Sequence, residues 1–203
     1  MPGRVSTAGA RKVALVVDYQ NIHLVGHGLF YGDGRPKHET LVDPGRFADR
    51  VLARRAADWR EGPPPDDVLH SVYVYRGQPS NRVDPVAYGR NQAQMSQWTR
   101  DKRVIVQHRP LKYRDGLPHE KGIDVLVALK FVELAMSTVY DVVILCSHDS
   151  DLDPAIEHAL HRGHRRVETA GWAGAYVPRG GKRLWHTALD ASDFDACRDP
   201  RQY

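Results

Sequence analysis

Five short stretches of this chain are almost continuously apolar or β-branched. They are residues 12–17 (KVALVV), 68–75 (VLHSVYVY), 103–107 (RVIVQ), 141–146 (DVVILC) and 165–170 (RRVETA). Runs of this length suit strands buried on both faces. The stretches between them can hold helices. Residues 44–59 follow Asp43, an N-cap, and carry Pro44 at the first helical position. Residues 84–100 are a second candidate. Residues 122–137 are apolar nearly all round, so that helix is expected to be deeply buried. Residues 153–162 open on Asp153 and Pro154, read as another cap, and stop at Gly163.

Strand and helix alternate, which predicts an α/β fold with a mainly parallel sheet covered on both faces. With right-handed crossovers, five such strands take the order 3-2-1-4-5. Strands one and four then sit at the switch point, and their carboxyl ends open on a ligand crevice. One domain is expected over 12–195, with tails at 1–11 and 196–203. Residues 26–40 read as a long Gly-rich loop suited to a lid or a partner surface. Residues 61–67 and 170–183 read as further loops.

Composition narrows the class. The 203 residues, 41% of them hydrophobic, can bury a real core. The longest apolar run is too short to cross a membrane. The two cysteines, Cys146 and Cys197, outline no disulfide framework, so a cytoplasmic location is expected. Net charge is +4, a basic excess compatible with nucleic acid. There is no G-x-G-x-x-G after the first strand, no P-loop and no G-x-S-x-G. His158, His161 and His164 are spaced by three, but Gly163 interrupts the helix that would align them on zinc.

The acidic residues change the picture most. Asp18 ends the first strand, with Asn21 just after it. Asp149 and Asp151 follow the fourth, and Asp124 enters in the first turn of the helix after the third. The predicted topology gathers all of these at one crevice. Two carboxylates about 4 Å apart at an effective dielectric near 20 repel by roughly 4 kcal/mol, so the cluster calls for a counter-charge. Hard cations with oxygen ligands, Mg²⁺ or Mn²⁺, supply it and suit phosphodiester hydrolysis. Each acid also has a bland reading, as a turn former, a helix cap or a solvated charge.

Three ordered motifs, VDYQN with Asp18 and Asn21, EKGIDV with Asp124, and SHDSDL with Asp149 and Asp151, resemble those of the NYN domain, a branch of the PIN-like nucleases that includes LabA-like proteins. The resemblance covers roughly residues 12–170. It implies a Rossmann-like three-layer sandwich and a metal-dependent ribonuclease. It makes Asp18, Asp124, Asp149 and Asp151 metal ligands or water-orienting groups, with Asn21 in support of Asp18. Its products would carry a 5′-phosphate and a 3′-hydroxyl. His148 departs from the small residue often found between Ser and Asp in the third motif. On this reading RNA is the partner, and a homo-oligomer is compatible with it. Arg109, Lys112, Arg114, Lys121, Arg179 and Lys182 are the expected phosphate contacts. Tyr19, His23, Tyr113 and Trp172 are the expected stacking surfaces. The alternative is a non-catalytic RNA- or protein-binding regulatory module of the same fold.

Overall fold

The computed structural model describes residues 9–163, 165–180 and 184–203. Its main sheet has six parallel strands: β1 (Arg11–Asp18), β2 (Asp67–Gln78), β3 (Val104–Pro110), β6 (Val142–Cys146), β7 (Arg166–Trp172) and β8 (His186–Leu189). A two-stranded hairpin, β4 (Lys112–Arg114) with β5 (Leu117–His119), stands apart. The strand order is β3-β2-β1-β6-β7-β8. The expected 3-2-1-4-5 order is therefore present, lengthened by β8 at one edge. That four-residue strand, HTAL, is too short to stand out from the loop-like composition before it.

Period two sorts the central strands into two cores. Val13, Leu15 and Val17 of β1, with Val142, Ile144 and Cys146 of β6, face one layer. That layer contains α1 (Tyr19–Phe30), α2 (Pro44–Asp58), α3 (Pro85–Trp98) and α6 (Ala191–Cys197). Ala14, Val16, Val143 and Leu145 face the other, built from α4 (Ile123–Met136) and α5 (Asp153–Arg162). Right-handed crossovers require this division, because the chain moves one way from β1 to β3 and the other way from β3 to β7.

Four expectations are corrected. Residues 26–30 are not loop but the second half of α1. Gly26 is there for packing: a Cβ would lie 2.5 Å from the Phe194 ring and 2.6 Å from the Trp172 indole nitrogen. The α4 helix is not buried all round, since only one face meets the sheet. Val125, Leu129 and Met136 stay 54%, 63% and 47% exposed. The C-terminal residues are not a free tail. Cys197 ends α6, and buried Asp199 accepts from the Trp98 indole at 2.7 Å and the Tyr203 hydroxyl at 2.6 Å. Arg11, expected in the N-terminal tail, begins β1.

The amino edge of the sheet is tied by charge. Buried Arg55 of α2 makes a bidentate pair with buried Glu168 of β7, at 2.6 and 2.7 Å, and also bonds Asp67 of β2. Arg11 pairs with Asp67 at 2.7 Å, and Arg166 with Glu168 at 2.5 Å. The guanidinium groups of Arg11, Arg55 and Arg166 all pack on the Trp59 ring. Removing one partner of a buried pair strands the other charge, which costs about 3–5 kcal/mol. Glu168→Gln should therefore destabilise the fold by about 3 kcal/mol in urea unfolding. A loss below about 1 kcal/mol would mean that Asp67 alone satisfies Arg55.

Candidate active site

Asp18 is the last residue of β1 and the cap of α1. One carboxylate oxygen accepts the Asn21 N–H at 3.4 Å, and the other accepts the Ser147 hydroxyl at 3.3 Å. Asn21 reaches across to β6's exit, where its side-chain oxygen accepts the His148 N–H at 2.7 Å. The two central strands are thus laced together at their carboxyl ends. The His148 ring is locked as well. Its Nε2 accepts the Trp172 N–H at 3.0 Å, which leaves Nδ1 to donate to the Tyr176 carbonyl at 2.7 Å. Burial lowers its pKa, in keeping with this neutral tautomer. His148 therefore pins the loop after β7 rather than facing the cavity.

A cavity of about 550 Å³ opens at this edge, lined by Asp18, Asn21, Glu120, Lys121, Asp124 and Asp149 among others. Three of the four expected acids are brought together. Asp151 is not among the lining residues: it is exposed, in a 3₁₀ turn over Ser150–Leu152, and its N–H is capped by Asp149 at 3.0 Å. Asp149 consequently serves both as a cap and as a cavity wall. Asp153, expected as a cap, is the first residue of α5. Its carboxylate accepts the Tyr176 hydroxyl and the Arg179 N–H.

The sequence reading missed Glu120. It opens the EKGIDV motif four residues before Asp124, a signal that was available in the spacing. Its carboxylate accepts the Gly77 N–H at 2.6 Å. Burial raises its pKa, and the nearby Asp124 pushes the same way; the Gly77 amide and the Arg76 charge oppose them. Arg76 itself packs on the faces of both Tyr19 and Trp98, with its Nη1 donating to Gln94 at 2.7 Å.

The expected RNA contacts divide. Arg109 donates through Nε to the Lys121 carbonyl at 2.7 Å. Its guanidinium also packs 3.4 Å from the Cβ position of Gly122, whose φ of +76° favours glycine. Arg109 thus braces the turn that delivers Glu120 and Asp124. Lys112, Arg114 and Lys121 are exposed, the first two on the β4–β5 hairpin. The Arg179 side chain is exposed too, and Lys182 lies outside the described residues. Tyr19, His23 and Trp172 are buried and cannot stack on a base. Tyr113 is half-buried, its hydroxyl accepting the Ser80 N–H at 2.9 Å.

With this geometry, comparison with known proteins is decisive at one level. The NYN domain model matches residues 12–179. The chain belongs to the NYN domain family. NYN domains are typically of a metal-dependent nuclease fold. A solved structure, that of a protein of unknown function from Vibrio parahaemolyticus RIMD 2210633, is similar with a TM-score of 0.54 and 22% identity. The likeness covers 84% of this chain and 87% of that one, and it shows the three-layer α/β fold. No curated protein matches this NYN chain. No helix among the described residues is long and apolar enough to cross a membrane.

The NYN cavity can be tested for its fit to a divalent cation. Among the described residues, no three His, Cys, Asp or Glu side chains form a ready-made metal cage. Mg²⁺ does not require one, because it keeps several waters and takes one or two carboxylates directly. The acidic lining is all oxygen donors, the chemistry such an ion selects. Asp18 also has no ion-pair partner among the described residues. Burial lifts its pKa from 3.8 to about 7, helped by Glu120 and Asp149 and opposed by the Asn21 amide and the Ser147 hydroxyl. The residues present fit the ion.

That shift has a sign. The folded protein holds the Asp18 proton up to about pH 7, and the unfolded chain only to 3.8. Between those values the folded state binds more protons, so stability falls as pH rises through the window. Asp18→Asn keeps a cap acceptor and removes the charge. In EDTA at pH 8 it should exceed the parent in stability by about 2–4 kcal/mol, with the gap closing by pH 4. Thermal melts of both proteins at the two pH values check this; a gap that does not change with pH would mean Asp18 carries no such burden.

Proposed function

We propose that this NYN protein is a divalent-metal-dependent endoribonuclease. The observation that carries the reading is the meeting of Asp18, Glu120, Asp124 and Asp149, from three separate chain segments, at one cavity beside the switch point. A bound Mg²⁺ or Mn²⁺ would neutralise phosphate charge and make a water molecule acidic enough to act as nucleophile. Asp18, central and buried, would hold the ion, with Glu120, Asp124 and Asp149 available to help hold it or to orient the attacking water. Ser147 and Asn21 hold Asp18 and the β6 exit in register. Lys121 at the rim, with Lys112 and Arg114 on the hairpin, draws in the RNA backbone. Arg109 is a positioning residue for the acidic turn.

Labelled single-stranded and hairpin RNAs should be cut in Mn²⁺ and not in EDTA, leaving a 5′-phosphate and a 3′-hydroxyl. Asp124→Asn should lower the rate by about 10²-fold or more, in the range of losing one charge-stabilising group, with little change in melting temperature. RNA binding without cleavage in any divalent metal would instead favour the non-catalytic regulatory module.

Arg109→Ala separates bracing from substrate binding. It should reduce kcat by about 10-fold or more through a misplaced acidic turn, while RNA affinity in EDTA changes little. A large affinity loss with an unchanged kcat would return Arg109 to the substrate.

A further inference from the structure

A second cavity, of about 420 Å³, shares no lining residue with the acidic one. Its walls come from the segment after α1, from α3 and from the C-terminal residues, and they carry Arg35, Arg90, Arg198 and Arg201. Four guanidinium groups on one concavity repel one another unless anions intervene. The protein supplies only part of that compensation. Asp199 is buried and saturated: it accepts from the Trp98 indole, the Tyr203 hydroxyl, and the Arg201 N–H and Nη1. Glu39 also lines the cavity but is bonded to none of the four arginines.

The arginines differ in what they have left to give. Arg201 is held by Asp199 at 3.2 Å and pairs with Asp43 at 3.8 Å. Arg198 donates Nη1 to the Tyr31 hydroxyl at 3.2 Å and pairs with Asp195 at 3.7 Å, while its buried Nε has no partner among the described residues. Arg35 packs on the Tyr31 ring, 5.0 Å from its centroid, and forms no ion pair among the described residues. Arg90 of α3 is exposed and makes neither a hydrogen bond nor an ion pair among them. Unspent donors thus approach one space from three chain segments. A carboxylate has two oxygens in one plane and matches a single guanidinium fork. A phosphate offers oxygens in several directions and can meet forks that converge from different sides.

We propose that this cavity binds a phosphate group of an RNA strand, away from the bond that is cut. The identification of the strand rests on the nuclease reading; the preference for phosphate rests on the arginines alone. The site anchors substrate beyond the acidic cavity and makes productive binding depend on strand length.

The test uses the full protein in EDTA, with a fluorescent single-stranded oligoribonucleotide followed by anisotropy. Arg35→Gln, Arg90→Gln and the double variant should melt like the parent, since neither side chain holds a hydrogen bond or an ion pair among the described residues. The double variant should bind about 5–20-fold more weakly near 0.1 M salt, and its log–log salt slope should shrink by about 0.7 per lost phosphate contact. Unchanged affinity and slope would overturn the proposal. Calorimetry with inorganic phosphate and competition with polyglutamate decide the source. Free phosphate binding the parent as tightly as the oligonucleotide does, or polyglutamate displacing the strand at equal charge, would overturn the strand assignment. Cleavage in Mn²⁺ is scored separately. Arginine-dependent binding without cleavage sinks the nuclease reading and upholds the cavity as a strand site.

Discussion

The position of β1 governs this structure. It is paired on both edges, to β2 and β6, and packed on both faces, so every residue from Val13 to Val17 is buried. A right-handed chain that starts at such a strand and builds outward must reverse once to fill the other side. The reversal falls between β1 and β6, and the loops leaving these strands part in opposite directions. A crevice at their carboxyl ends follows from topology before any side chain is considered. Asp18 continues the strand's inward alternation into that crevice, which is why a carboxylate ends up buried there.

Crowding acids there raises the free energy of the folded state, and the chain answers locally. Glu120 is steadied by the Gly77 amide and the Arg76 charge, Asp149 by the turn it caps, and Asp18 by Ser147 and the α1 amide. These supports hold the groups in place without cancelling their charge, since Asp18 still titrates near neutrality. The opposite edge of the sheet has the reverse character, with Arg55, Glu168, Asp67, Arg11 and Arg166 satisfying one another. One end of the sheet is closed electrostatically and the other is left open to a ligand.

Much of this was legible in the sequence because the strands are long apolar runs and the motifs sit at their ends. Asp43 with Pro44 marked the start of α2 correctly, and the five principal strands could be placed from composition. The failures have physical causes. The second half of α1 was hidden by Gly26 and Gly28, since glycine usually signals a break; at position 26 it is tertiary packing that demands it. The α4 helix was read as buried because apolar residues encircle it, yet a helix on a sheet has only one inward face. Asp151 was grouped with Asp149 through the SHDSDL motif, but it lies exposed in a 3₁₀ turn and does not line the cavity. Glu120 joined the site through a hairpin and a left-handed glycine, neither of which periodicity detects.

The basic residues sharpen the same point. Charge counting treats Arg109, Lys112 and Arg35 alike, as part of a +4 excess. Hydrogen bonding separates them. Arg109 spends its Nε on the Lys121 carbonyl and acts on the acidic turn from behind. Lys112 is exposed on a hairpin beside the acidic turn and remains free to meet a substrate. Arg35 and Arg90 line a different concavity and hold no ion pair among the described residues, while Arg198 and Arg201 there are paired with Asp195, Asp199 and Asp43. A protein that places an acidic cavity at one edge and an arginine-lined cavity elsewhere has two complementary demands, a cation for the first and an anion for the second. A polyanion accompanied by divalent metal meets both. The distribution of unspent donors and acceptors, more than the net charge, is what the proposal of an RNA partner rests on.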